Sequence, residues 1–427
     1  MVGILEVAGY TIVGGTLAQV ALGLVGTARR QAAEARRARE EARLFSERAR
    51  LLLDAERAER DRTELSWNGI RKFYIERKVM EAKDVCSFYL KPHDGKPLAP
   101  FLPGQYLTFQ LRMPGQPKPV VRCYSLSDSP TEHDYYRVTI KRLDPPPKAP
   151  DAPPGLSSNY FHRQINEGDI LDVKAPGGHF YLDQTSDKPV VLIGGGVGLT
   201  PVLSMLNTIV RSGSRLETWF FYGVTNRSDH AMYEHLNAIR KAHDNVRIVV
   251  CYSRPSEDCV EGRDYDHAGF VGVDLFKKLL PSNNYEFYIC GPPPMMDAVT
   301  NGLGEWGVPD DSVNFEAFGP ASVKRNKPSE QVQDAAAASA GAEGIEVVFA
   351  RSGKTLHWKP SGGSILEFAE ENGIGLDFGC RAGNCGTCVT AVKEGEVNYL
   401  SEPGAEPEAG SCLTCIAIPK SRLVLDS

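Results

Sequence analysis

The residues best equipped for chemistry lie near the end of the chain. Cys380-Arg-Ala-Gly-Asn-Cys385-Gly-Thr-Cys388 gathers three thiols in one short run, and Ser411-Cys412-Leu413-Thr414-Cys415 adds two more. A C-x4-C-x2-C run with a distant fourth cysteine is the spacing that holds a [2Fe–2S] cluster, whose two irons need four thiolates. Gly379, Gly383 and Gly386 let the backbone close around such a group with amide N–H groups near the sulfurs. A structural zinc site would prefer two short cysteine pairs, and three thiols this crowded make a poor disulfide set. A cluster of this kind moves one electron at a time. Cys412 and Cys415 both qualify as the fourth ligand.

Two glycine turns offer a second chemistry. Ile193-Gly194-Gly195-Gly196-Val197-Gly198-Leu199-Thr200-Pro201 follows an apolar run and opens a helical pattern. Glycines there let the backbone approach a pyrophosphate resting on the helix N-terminus. Leu199 stands where the usual dinucleotide fingerprint has its third glycine. Cys290-Gly291-Pro292-Pro293-Pro294-Met295-Met296 ends another apolar run. Upstream, Arg122-Cys123-Tyr124-Ser125 reads as a strand that can lay Tyr124 on a flavin, set Arg122 against its phosphates and bond the ring edge through Ser125. Val138, Ile140 and Lys141, on a second strand, are expected to join it as cofactor-binding residues. Gly155-Leu-Ser157-Ser158 then begins a helix that either serine can cap, with its N-terminus toward phosphate.

The elements that must position these residues form several domains. A chain of 427 residues holds two to four. Its net charge of -6 argues against a nucleic-acid partner. Ten cysteines without a regular framework suit a reducing compartment. Residues 67–184 alternate in short strand-like runs and predict a small antiparallel β-barrel. Residues 185–320 alternate apolar strands with helical segments and predict a parallel α/β domain. Residues 321–343 are Ala-, Ser-, Lys- and Gln-rich and read as a linker. Residues 344–427 carry the cysteines. Isolated Cys86, Cys123, Cys251 and Cys259 read as core residues.

The barrel and the α/β domain resemble the ferredoxin–NADP reductase superfamily, and most of all the reductase half of flavohaemoglobins. The likeness rests on Gly104-Gln105-Tyr106 before Arg122-Cys-Tyr-Ser125, on Pro153-Pro-Gly155 before Ser158-Asn-Tyr-Phe-His162, and on Gly-Gly-Gly-x-Gly-Leu-Thr-Pro at the coenzyme turn. It implies that Tyr106, Arg122, Tyr124, Ser125 and the Ser157/Ser158 helix start hold the flavin. It places Cys290, Gly291, Pro292 and Met295 beside the nicotinamide, with Cys290 a packing element rather than a nucleophile. Phe318 would cover the flavin, with Glu316 close by. FAD is expected; reductases of the phthalate dioxygenase type, which share the C-terminal ferredoxin, use FMN, the alternative. The Leu-Thr-Cys stretch is similar to that of plant-type ferredoxins, which implies a β-grasp domain and selects Cys415 over Cys412. Arg227 either meets a 2′-phosphate or is a solvated loop residue; family analogy favours NADH over NADPH.

The N-terminus predicts a membrane connection. Val7 to Ala28 is uncharged, long enough to span a bilayer, and followed by an arginine-rich segment. Residues 1–28 are therefore expected to be a single-pass anchor in the inner (cytoplasmic) membrane, contacting lipid, with the catalytic domains in the cytoplasm. Residues 29–66 read as a helical stalk. Ala35, Ala38, Ala42, Phe45, Ala49 and Leu52 form a brief coiled-coil seam that offers a route to oligomers. The expected role is an NAD(P)H-dependent reductase feeding an oxygenase, hydroxylase or desaturase. A quinone-type dehydrogenase and a membrane scaffold with a secondary redox domain are the other readings.

Overall fold

The computed structural model describes residues 56–145, 150–318, 344–360, 363–379, 381, 383, 386–400, 403 and 407–427, together with 3, 15, 27, 30, 31, 34–39, 42, 45, 46 and 53. It divides into Met1–Glu64 and Leu65–Ser427. In the first unit the described residues are helical, and seam positions Ala35, Ala38, Ala42 and Phe45 are exposed; Ala49 and Leu52 lie outside the described residues. Among the described residues no helix is long and apolar enough to cross a membrane. The expected anchor over residues 1–28 lies outside them, apart from Gly3, Gly15 and Thr27.

The second unit opens with an antiparallel sheet of β1 (Arg71–Ala82), β2 (Val85–Pro92), β3 (Tyr106–Leu111), β4 (Val120–Ser125), β5 (Tyr136–Lys141) and β6 (Ile170–Gly177), ordered β4-β3-β6-β1-β2-β5. Alternation of inward Phe73, Phe88, Leu107, Phe109 and Val138 with outward residues makes one buried face. The edges β4 and β5 meet beyond their ends through a Leu126–Val138 bridge and the Ser127 N–H to Arg137 carbonyl bond. That brings the two ends of the sheet together, as the expected barrel requires, and leaves the rest of β4 unpaired on its outer side. Helix α1 (Leu156–Arg163) plugs it with Phe161.

The next sheet is wholly parallel: β7 (Val190–Gly195), β8 (Thr218–Val224), β9 (Val246–Tyr252), β10 (His267–Ala268), β11 (Glu286–Gly291) and β12 (Val313–Ala317), ordered β10-β9-β8-β7-β11-β12. Every residue of β7 is buried, as a strand covered by helices on both faces requires. Those helices include α2 (Leu199–Arg211), α3 (Tyr233–Ala242), α4 (Val273–Leu279) and α5 (Pro293–Glu305). The chain leaves β7 for β8 on one side and returns as β11 on the other. The crevice between the carboxyl ends of β7 and β11 is thus the switch point where α/β sheets bind ligands.

The last domain has a mixed sheet built from β13 (Ile345–Phe349), β14 (Lys354–Trp358), β15 (Val389–Glu394), β17 (Ser411–Leu413) and β19 (Leu423–Leu425), ordered β14-β13-β19-β15-β17. A separate pair joins β16 (Val397–Tyr399) to β18 (Ala417–Pro419). Helix α6 (Ile365–Glu371) starts on a capping box between Ser364 and Glu367 and packs Ile365 and Phe368 on the sheet.

Space at the switch point is set by Gly198. A Cβ there would stand 2.3 Å from the Cys290 carbonyl oxygen and 2.7 Å from Gly291 Cα. These are backbone atoms and cannot rotate aside. Gly198→Ala should therefore destabilise the protein by about 1–3 kcal/mol, the usual cost of overpacking, in urea unfolding monitored by tryptophan fluorescence.

Candidate active site and cluster loop

The three chemical elements converge around β4. This edge strand is only half-buried, unlike β3 beside it, so it keeps an open flank. Tyr124 sets its ring edge against Phe109 and Phe161, with centroids 5.8 and 5.2 Å away. Its hydroxyl lies 2.9 Å from Ser157 Oγ. Burial pushes the phenol up to about 12, so it stays neutral. The Arg122 guanidinium donates to its neighbour's carbonyl, Val121 O, at 2.7 Å. Burial draws its guanidinium below its ordinary value, with Arg381 adding repulsion. A half-buried cation on an open flank, beside a tyrosine and a helix start, fits an anionic cofactor.

Two expectations for this face need correction. Neither Ser157 nor Ser158 caps α1: Gly155 holds that position without a side-chain cap, and Ser158 donates back to the Gly155 carbonyl at 3.1 Å. Leu156, not serine, begins the helix, so the serines fall in its first turn. Val138 and Ile140 point into the barrel core, fully buried. Strand alternation sends them inward and leaves only their backbone for a ligand. Lys141, at the strand end, is partly exposed. Cys123 faces away from Arg122 and Tyr124, with its sulfur 3.3 Å from Thr108 Oγ1. Tyr106 is buried, its ring filling the space beside Gly178.

The coenzyme face is built by backbone. Gly194 and Gly195 end β7, Gly196–Gly198 form a single 3-10 turn, and α2 starts at Leu199. Thr200 and Pro201 are buried in its first turn, where Thr200 Oγ1 donates to Val197 O at 3.1 Å. Opposite them, Gly291 ends β11, Pro292 caps α5, and the Met295 thioether fills the gap between Gly195 and Gly291. Arg227 lies in the loop after β8 with its guanidinium 3.7 Å from the Tyr233 ring centroid, a cation–π contact rather than a solvated pose.

β4 meets this face at Ser125. Its hydroxyl donates to Glu316 Oε2 at 3.5 Å, and β11–β12 pairing sets Glu316 beside Cys290. Burial pushes the Glu316 carboxyl up to about 8, so it carries its proton at neutral pH. The Cys290 thiol is fully buried and raised well above its ordinary value, which suits packing and not nucleophilic attack. Phe318, one residue past β12, is 38% exposed.

In the cluster loop, Cys388 and Cys415 bring their sulfurs to 3.1 Å. That is well beyond the ~2.0 Å of a disulfide bond. Both are buried, and two thiolates side by side in a buried site fit a shared metal centre. Cys380 and Cys385 lie outside the described residues. Cys412 belongs to the hydrophobic core, and burial pushes its thiol up to about 12. The sequence reading missed Phe378. This ring takes two guanidinium groups, Arg381 at 4.0 Å and Arg122 at 5.3 Å, and so sets the cluster domain against the flavin strand. An aromatic two residues before the first cysteine was the available signal.

Comparison with known families agrees domain by domain. Residues 72–181 match the oxidoreductase FAD-binding domain, 192–301 the oxidoreductase NAD-binding domain, and 349–420 the 2Fe-2S iron-sulfur cluster binding domain. The chain is an oxidoreductase of the ferredoxin–NADP reductase superfamily, an FAD- and NAD(P)H-binding module fused to a C-terminal [2Fe–2S] ferredoxin domain. It is similar to a flavohemoprotein of Halalkalibacterium halodurans, with 41% identity over 257 residues, 60% of this chain and 62% of the relative. It thus spans less than two thirds of the curated relatives it matches. Among solved structures, it is similar to the flavohem-like FAD/NAD binding domain of nitric oxide dioxygenase from Vibrio cholerae, at 29% identity and TM-score 0.52, covering 59% of this chain and 100% of that one. Phthalate dioxygenase reductase covers more, 84% of this chain and 98% of its own, at 27% identity and TM-score 0.50.

Two outcomes are expected. Cys415→Ser should abolish or strongly alter the [2Fe–2S] EPR signal while Cys412→Ser leaves it largely intact; the reverse result would refute the ligand assignment. Flavin reduction by NADH should slow as pH rises through about 8, where Glu316 ionises and sets negative charge where hydride must arrive. Glu316→Gln should remove that break in a stopped-flow pH profile.

Proposed function

We propose that this chain is the reductase component of an oxygenase, hydroxylase or desaturase, held at a membrane by its N-terminal segment. The observation that carries this reading is the Arg122–Phe378 contact, because it sets a ring two residues before the first cluster cysteine against the flavin strand within one chain. Phthalate dioxygenase reductase, a modular structure for electron transfer from pyridine nucleotides to [2Fe-2S], supports it by matching 84% of this chain. The uncharged span Val7–Ala28 and its arginine-rich flank support the membrane location.

When bound, FAD would supply a hydride-accepting ring and the cluster a one-electron carrier. The chain's own residues orient and insulate that transfer. Gly194–Gly198 and the start of α2 receive the coenzyme pyrophosphate on backbone N–H groups. Arg122 balances flavin phosphate charge. Ser125 and protonated Glu316 line the junction with no net charge, and Cys290 packs its floor without competing chemistry. Cys380, Cys385, Cys388 and Cys415 hold the cluster. NADH is the favoured coenzyme.

The test uses membranes from cells expressing the full chain. Carbonate washing should leave the protein in the membrane fraction, and NADH-dependent oxygen consumption by the native oxygenase should fall away with Cys415→Ser. A chain beginning at Trp67 should still reduce ferricyanide yet drive the acceptor poorly, because tethering raises effective concentration. Recovery of the intact chain in the soluble fraction would refute the anchor. Unchanged quinone reduction by Cys415→Ser membranes, without coupled oxygenation, would refute the oxygenase assignment.

A further inference from the structure

Helix α2 carries two kinds of face. Leu199, Val202, Leu203 and Leu206 pack into the parallel sheet's core. Ser204, Asn207, Thr208 and Arg211 recur at helical spacing on another side, and all four reach a single loop of the flavin barrel. That loop, Leu126-Ser127-Asp128-Ser129, continues directly from Ser125.

Asp128 is the centre of the contact and is 3% exposed. From the helix, Asn207 Nδ2 donates to its Oδ1 at 3.0 Å and Arg211 Nη2 lies 3.2 Å from the same oxygen. Ser204 Oγ donates to the Asp128 carbonyl at 2.7 Å, and Thr208 Oγ1 donates to Ser129 Oγ at 3.2 Å. From the barrel, Tyr135 OH donates to Oδ2 at 3.0 Å, Arg137 Nη1 lies 3.4 Å from Oδ2, and the Ser129 N–H donates to Oδ1 at 2.9 Å. His235 of α3 in turn donates through Nε2 to Asn207 Oδ1 at 2.7 Å, which fixes the amide's orientation. Burial and Arg137 hold that imidazole below its ordinary value, so it is neutral.

We propose that Asp128 is a positioning residue for hydride transfer: its buried carboxylate clamps α2 onto the flavin barrel and so fixes the coenzyme turn relative to the flavin strand. This rests on the electron-transfer reading above. The geometry supports it from both sides of the carboxylate. Asp128 lies three residues beyond Ser125, the β4 residue at the junction. Ser204 lies six residues beyond Gly198, about 9 Å along the helix axis from the turn. A buried carboxylate whose partners come from both domains tolerates little sliding, because any shift strands a charge in a dry site. Apolar contact alone would allow the two domains to slip.

Anaerobic stopped-flow reduction of the full, flavin-loaded protein by NADH tests the clamp. Asp128→Asn removes the charge, and Asn207→Ala removes one helix-side partner while leaving the barrel intact. In both, the limiting rate of flavin bleaching should fall about 10- to 100-fold, the cost of a misplacement near 1 Å. Apparent NADH affinity, bound FAD and the rate of dithionite reduction should stay near wild type, and the long-wavelength charge-transfer band with NAD+ should weaken. A structural fastening alone would lower the melting temperature and leave the limiting rate and charge-transfer band unchanged; that result in Asn207→Ala overturns the clamp even if Asp128→Asn does not fold. The wild type separates the two levels: a flavin that neither NADH nor NADPH reduces defeats the underlying reading, whereas wild-type rates in both variants defeat the clamp alone.

Discussion

The ends of β7 and β11 approach so closely that backbone touches backbone. Gly198 faces the Cys290 carbonyl, and Gly195, Gly291 and the Met295 thioether fill what remains. This contact fixes where α2 and α5 begin. It fixes the register that sets Glu316 beside Cys290. Because Ser125 of the barrel reaches Glu316, the flavin domain is also referred to this point. A side chain inserted there would disturb the coenzyme turn, the strand pairing and the domain junction together.

Charge in the site follows from burial. Removing Glu316, Cys290 and Tyr124 from water favours the neutral form of each. The junction that a hydride must cross is therefore lined by groups without net charge at neutral pH. Positive charge stands at its margin, where Arg122 and Arg381 both lie against the Phe378 ring. At the far end, Cys388 and Cys415 come together in a buried pocket, a costly arrangement for thiolates unless iron shares the charge.

Much of this was legible in the sequence because it depends on short-range constraints. Glycines that must meet backbone announce a turn, continuous apolar runs announce buried parallel strands, and cysteine spacing announces a cluster. Features set by the fold were harder to read. Val138 and Ile140 stand near the flavin strand in sequence motif, yet the phase of strand alternation buries them in the barrel. Ser157 and Ser158 look like caps, but the helix already begins at Leu156, with Gly155 in the cap position. Asp128 gave no signal by itself. Only the Ser204, Asn207, Thr208 and Arg211 stripe hinted that one face of an otherwise apolar helix meets a polar partner, and nothing local identified it. Phe378 and Arg122 are far apart in the chain, so their contact is visible only once the domains are folded.

The proposed electron path runs in order from coenzyme through flavin to cluster within one chain. Anaerobic mixing with NADH, followed by flavin absorbance and by freeze-quench EPR of the same samples, tests it most directly. Flavin absorbance should bleach first, and the reduced [2Fe–2S] signal should then grow in step with partial flavin reoxidation. A cluster that stays EPR-silent beside fully reduced flavin, or that is reduced before any flavin bleaching, would contradict it.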